Sequence, residues 1–171
     1  TALGVIRYRP GEVVAVIDSV RAGRTCQDCV GVGGDIPVVA SLEAASKYEP
    51  DSLLLGIAPQ GGGMPEPWRH VVAEALMRGW DVLSGLHVFL AEDPELSALA
   101  RSKGCTIYDV RRPPAGRIIA ARRAASADAL IVLTVGTDCN VGKMTTALEV
   151  HAELQSRGAR SAFVATGQTG I

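Results

Sequence analysis

The loop bounded by Gly136 and Gly142 constrains this chain more than any other feature. Leu130-Ile-Val-Leu-Thr-Val135 reads as a buried strand, and Gly136-Thr-Asp-Cys-Asn-Val-Gly142-Lys143 as the loop that follows it. Met144 to Arg157 reads as a helix, with Leu148 and Leu154 among its apolar positions and Gly158 as its stop. Ser161 to Thr166 is then the next strand. Strand, glycine-rich loop, Gly-Lys and helix in that order is the setting of a P-loop. Successive backbone N–H groups there make a concave anion nest at the positive end of a helix, and the lysine reaches terminal phosphates. The expected roles are phosphate contact by Lys143 and backbone N–H donation from Asn140 to Thr145, with Asp138 orienting the loop.

The loop departs from G-x-x-x-x-G-K-[ST] in two ways. Gly136 and Gly142 enclose five residues instead of four. Met144 stands where a magnesium-binding hydroxyl is expected, and Thr145 is no simple substitute because adjacent helical residues point about 100° apart. Phosphate binding is therefore better supported than magnesium-dependent nucleotide hydrolysis.

Upstream, short β-branched runs alternate with helix-like stretches at the spacing of a parallel sheet. Strands are expected at Val13–Ile17, Pro37–Ala40, Ser52–Ala58, Asp81–Leu86 and Thr106–Val110. Glu66 to Arg78 predicts a helix, because Trp68, Val71, Val72, Ala75 and Leu76 recur at three and four residues and Gly79 stops them. Asp93 and Pro94 open another, running to about Lys103 and ended by Gly104. Thr1 to Arg9 fits either a strand paired with Val13–Ile17 or a helix whose preceding strand is missing. A hairpin would break the alternating pattern, so the helix is preferred.

Composition narrows the class. With 47% apolar residues and a mean hydropathy of +0.20, the chain is a core-forming protein and not a disordered one. Its apolar runs fall far short of the roughly 20 residues that span a bilayer. A net charge of −1 gives no global field for nucleic acid or anionic membrane, and 4% aromatics leave little for base stacking. A soluble, cytoplasmic protein is expected, and its ends read as those of a piece of a longer chain.

Cys26 and Cys29 form a C-x-x-C, which invites a zinc or thiol-redox reading. Cys105 and Cys139 are lone residues far away, so no second ligand pair completes a zinc site, and no metal is expected. A redox pair of the thioredoxin kind would start a helix, whereas this one sits among Thr25, Gly31, Gly33 and Gly34 and reads as ordinary reduced thiols. Residues 111–128, with Pro113, Pro114, Gly116 and Arg111, Arg112, Arg117, Arg122 and Arg123, read as a solvated linker with a short helix, or else as an anion-contacting or subunit-contacting strip.

Other candidate site residues sit at predicted strand ends, where open α/β sheets bind ligands. Asp18 could hold a ribose hydroxyl or cap a turn. Gly61, Gly62 and Gly63 would let a ligand approach the backbone, or simply make a flexible loop. His87 is the candidate general base, with a structural histidine as the alternative. His70 and His151 lie on helices and receive no role.

The early glycine also carries a resemblance. Gly136, Thr137, Asp138, Val141, Gly142 and Lys143 resemble the variant P-loop of dethiobiotin synthetase. A closer match takes in Met144-Thr145-Thr146-Ala147, Ala165-Thr-Gly-Gln-Thr-Gly170, Ile57-Ala58-Pro59, Ser84-Gly85-Leu86-His87 and Asp109-Val-Arg-Arg-Pro-Pro114. Together these resemble a bacterial and archaeal family long filed as a domain of unknown function, some of whose members are assigned as D-glutamate N-acetyltransferases.

The resemblance implies an α/β chain, a Rossmann-like parallel sheet domain followed by the beginning of a P-loop NTPase-like α/β domain. It places the first at 1–110 without its opening strand, a linker at 111–128, and the truncated second at 129–171. Its phosphate or cofactor site would be Gly136, Thr137, Asp138, Cys139, Asn140, Val141, Gly142, Lys143, Met144, Thr145 and Thr146. The activity implied is N-acetyl transfer from acetyl-CoA to an acidic amino acid such as D-glutamate. The alternatives are an ATP-dependent ligase or kinase, with magnesium only if ATP binds, and a nucleotide-binding protein without turnover. The expected partners are a small-molecule substrate and further copies of the chain in a homo-oligomer, with no nucleic acid and no membrane.

Overall fold

The computed structural model describes residues 2–57, 63–113, 123–138 and 141–165. They fall into two compact units, Thr1–Arg112 and Pro113–Ile171. No helix among the described residues is long and apolar enough to cross a membrane.

The first unit opens with helix α1 (Ala2–Tyr8), as preferred from sequence, and Pro10–Glu12 adds a 3-10 turn. Strand β1 (Val16–Ile17) pairs in parallel with β2 (Val38–Val39). Both are shorter than their apolar runs. The Val13 N–H turns back to the Pro10 carbonyl at 3.1 Å, which keeps the start of the first run out of the ladder. Pro37 has no N–H to give, so β2 begins one residue later. Between them the sequence reading missed helix α2 (Cys26–Val30), whose N-cap is Thr25 and which ends on Gly31 at φ 75°. Helix α3 (Leu42–Ala45), capped by the Ser41 hydroxyl, follows β2.

A second, three-stranded parallel sheet comes next, in the order β3 (Ser52–Leu55), β4 (Asp81–Ser84), β5 (Ile107–Asp109). Its register aligns Leu55 with Ser84 and Ser84 with Asp109, so the three carboxyl ends lie together. Helices α4 (Glu66–Met77) and α5 (Pro94–Lys103) make the crossovers. The predicted stripe of α4 supplies Val72, Ala75 and Leu76, which carry no exposed surface and meet Val82, Leu96 and Ala100 in the core. Asp93 caps α5 by accepting from Glu95 N and Leu96 N at 3.0 Å each, and Gly104 ends it at φ 70°. Arg69 of α4 reaches across to both Asp93 and Glu95, joining the two helices. A smaller cluster of Ile6, Cys26 and Val38 packs α1, α2 and β2.

The second unit departs from expectation. Residues 130–135 and 161–165 are not hydrogen-bonded strands, and Leu130 and Val135 are 93% and 78% exposed. A strand exists only through a ladder partner, and none pairs with these runs among the described residues. Helix α6 (Lys143–Ser156) begins one residue earlier than predicted. The expected end of the last strand, Thr166, lies outside the described residues.

Candidate functional site

Two groups of residues emerge, one on each unit. On the first, the chain leaves β4 through Ser84, whose buried hydroxyl accepts the Leu86 N–H at 3.3 Å. Leu86 then turns into the core and leaves His87 and Val88 exposed. The loop carrying His87 is clamped by the residues that leave β5. Both carboxylate oxygens of Asp109 are engaged, accepting from Leu90 N at 2.9 Å and Ala91 N at 3.0 Å. These are the first N–H groups of the 3-10 turn Leu90–Glu92. Arg111 Nε donates to the Gly85 carbonyl at 2.7 Å. Arg112 donates to Glu92 at 3.0 Å while its guanidinium lies 4.9 Å over the Phe89 ring.

Ser84-Gly-Leu-His87 and Asp109-Val-Arg-Arg112 thus form one interlocked structure. Sequence reasoning missed Asp109 as a positioning residue, although an acid at a strand end was a visible signal. Of the arginines read as a linker or a contacting strip, Arg111 and Arg112 both make contacts within the first unit. Pro114, Gly116, Arg117 and Arg122 lie outside the described residues.

Asp18, at the end of β1, accepts Arg21 Nη1 at 2.7 Å and the N–H groups of Val20 and Arg21 at 3.0 and 3.2 Å. The Arg21 hydrogen bond is the main reason its carboxyl is held below the usual range. These contacts make it a turn-forming aspartate in this structure. Gly63 is exposed, with open space where a Cβ would stand, while Ala58, Pro59, Gly61 and Gly62 lie outside the described residues.

On the second unit the described residues of the glycine loop show why glycine stands at its two ends. Gly142 adopts φ 94°, a left-handed conformation that favours glycine, and is the N-cap of α6. A Cβ on Gly136 would stand 2.7 Å from Val141 Cγ2 and 3.3 Å from Lys143 Cγ and Cδ. A side chain there would collide with Val141 and press on the lysine stem. Lys143 Nζ donates to the Asp138 carbonyl, so the side chain arches back over the loop. Thr134 Oγ1 donates to the Lys143 carbonyl at 3.0 Å, pinning the entering chain to the helix.

Thr146 spends both donors on Gly142: its N–H and its hydroxyl reach the same carbonyl at 2.9 and 3.1 Å. The N–H groups of Lys143, Met144 and Thr145 lie ahead of that first helical bond, where an anion can use them. Met144 is 48% exposed and Thr145 is exposed beside it. Thr137 and Asp138 form the bend of the loop; Cys139 and Asn140 lie outside the described residues. His151 Nδ1 meets Ser161 Oγ at 2.9 Å, tying α6 to the following segment.

The C-x-x-C pair needs a correction. Cys26 is the first residue of α2, the helix-initial placement judged absent from sequence. The cue was Thr25-x-x-Asp28: the Thr25 hydroxyl accepts the Asp28 N–H at 3.1 Å, and Asp28 accepts the Thr25 N–H at 3.2 Å, a capping box. Among the described residues no cluster of three His, Cys, Asp or Glu side chains could hold a metal.

Comparison with known proteins agrees with this architecture. Residues 19–113 match a domain of unknown function described as the Rossmann-like domain DUF1611_N, and residues 118–171 match the DUF1611_C P-loop domain. The crystal structure of a DUF1611 family protein from Anabaena variabilis superposes with a TM-score of 0.88 at 44% identity, covering 99% of this chain and 49% of that one. A protein named D-glutamate N-acetyltransferase from Tritonibacter scottomollicae is 39% identical over 99% of this chain and 48% of its own length. Another of that name from Pseudoalteromonas sp. is 34% identical over 77% of this chain and 39% of its own. The chain therefore spans less than half the length of these two relatives.

Proposed function

The chain belongs to the DUF1611 family, and from that membership and its glycine loop we propose that it forms part of an N-acetyltransferase. The acetyl group would pass from acetyl-CoA to the amine of an acidic amino acid such as D-glutamate. The names borne by the two relatives support the reaction class. The observation that carries the proposal is the lysine arched over a glycine cradle at the head of α6, with an apolar Met144 beside it.

The residues fit a phosphate-bearing donor. Gly136 keeps the cradle open to the Lys143 stem, Gly142 turns the chain into the helix, and the first-turn N–H groups face outward along its axis. Lys143 would exchange the Asp138 carbonyl for phosphate oxygens. The thioester supplies an acetyl group already activated for attack, so positioning, a base and an oxyanion donor suffice. Thr146 gives its hydroxyl to the helix backbone and Met144 has none, which leaves a magnesium–ATP arrangement the weaker fit. On the first unit, His87, exposed on a loop clamped by Asp109 and Arg111, is the candidate general base.

Calorimetric titration of the full-length protein with CoA, acetyl-CoA and Mg·ATP tests this reading. CoA and acetyl-CoA should bind competitively and lose affinity in Lys143→Ala. Tight ATP binding without CoA competition would favour the ligase instead. Acetyl-CoA-dependent loss of free amine from D-glutamate is the assay for transfer.

A further inference from the structure

The first unit holds a chemistry that acetyl transfer does not use. Cys26 and Cys29 stand at positions i and i+3 of α2, on the same face of one helical turn. Helix geometry sets their Cα atoms about 5 Å apart, inside the window of roughly 4.4–6.8 Å that a disulfide spans. The two thiols differ in access. Cys26 is 1% exposed, held between Ile6 and Val38, and Gly33 closes over it so tightly that a Cβ there would lie 2.9 Å from the Cys26 Cβ. Cys29 is half-buried. Both line one pocket of about 190 Å³, together with Ile6, Val38, Asp18 and Arg21.

We propose that Cys26 and Cys29 form a reversible dithiol–disulfide site, in which Cys29 reacts first, through the pocket, with a small-molecule disulfide and Cys26 resolves the adduct. Burial pushes the Cys26 thiol up and favours its protonated form. In the first step the Cys29 thiolate attacks one sulfur of the disulfide R–S–S–R. The protein–S–S–R bond forms, the R–S–S–R bond breaks, and one R–S⁻ leaves. In the second, Cys26 gives up its proton and attacks Cys29 Sγ, forming the Cys26–Cys29 bond and expelling the second R–S⁻. Two protein thiols are oxidised, one disulfide is reduced to two thiols, and the two protons go to the departing thiolates. A loop this short gains little chain-entropy stabilisation from closure, so the bond is readily reversed. It would draw Cys26 from the cluster that joins α1 to β2, making the packing of this part of the unit sensitive to redox state.

The test treats the intact protein with oxidised glutathione, quenches in acid, alkylates free thiols and maps peptides by mass spectrometry. Wild type should show a Cys26–Cys29 bond that dithiothreitol removes. Cys26→Ser, with Cys26→Ala as a second variant because the site is buried, should stop at a glutathione adduct on Cys29. Cys29→Ser should lose both adduct and bond. Circular dichroism before oxidation confirms that each variant compared is folded. A stable glutathione adduct on Cys29 of wild type, first reaction at Cys26, or oxidation confined to Cys105 or Cys139 would each overturn the proposal.

Discussion

The two units handle apolar side chains in opposite ways. In the first, Val72, Ala75, Leu76 and Val82 have no exposed surface, and each strand run of β3 to β5 finds a neighbour. In the second, α6 buries no residue, and Leu130, Val132, Leu133, Val135 and Val164 are exposed. The sequences are equally apolar at these places. What differs is the ladder partner, which residues 130–135 do not have among those described. Yet the described residues of the glycine loop hold a defined local geometry, set by Gly136, Gly142 and Lys143 acting over a few residues. A phosphate cradle is a local structure. A sheet is not.

The comparison breaks most visibly at the core. Leu76→Ala should cost about 2–5 kcal/mol, the range for truncating a fully buried leucine, whereas in the 171-residue chain Leu133→Ala, 68% exposed, should stay within about 0.5 kcal/mol. Urea unfolding midpoints of the two variants measure both. Equal losses would mean that residues 130–135 are packed like β4. The next effect is on the proposed ligand: Lys143→Ala should remove the charge-assisted phosphate contact proposed for it, worth about 1.5–3 kcal/mol, or roughly 10- to 150-fold in the CoA dissociation constant. Unchanged affinity would move the donor's phosphates away from the second unit.

The same contrast explains what could be read in advance. Helices α4 and α5 were legible because a stripe at three- and four-residue spacing, an Asp-Pro start and a glycine stop are all written within one segment. The loop at 136–143 was legible for the same reason. Helix α2 was missed because five residues with one buried side chain leave no periodicity, and its capping box went unread. The clamp on His87 was missed because Asp109 meets Leu90 and Ala91 nearly twenty residues away in sequence, across the carboxyl edge of the sheet. Strand ends erred for a related reason: Ser52–Ala58 and Asp81–Leu86 continue as apolar sequence after pairing has stopped at Leu55 and Ser84.

That clamp gives the third prediction. Asp109→Ala strips the acceptor from two partly buried N–H groups and should cost about 1–3 kcal/mol. Amide exchange at Leu90 and Ala91 should quicken, while exchange in α6 stays as it was. If α6 quickens equally, the two units unfold together. On the role proposed for His87, turnover should fall as well, through its loosened loop.

The smallest effect lies between α4 and α5. The Arg69 hydrogen bond, foremost among several contacts, holds the Asp93 carboxyl below its ordinary 3.8. The folded chain therefore binds this proton less tightly than the unfolded one. The stability this adds is whole above that value and is lost as pH falls through the lower, folded pKa. Asp93→Asn separates charge from capping, because asparagine caps a helix about as well as aspartate but cannot ionise. At neutral pH the variant should lose only the ion-pair share. Between about pH 5 and pH 2 its urea midpoint should fall less steeply than that of wild type. Parallel acid slopes would show that Arg69 and Asp93 merely touch, and that α4 and α5 are held by Val72, Leu76 and Leu96 without help from charge.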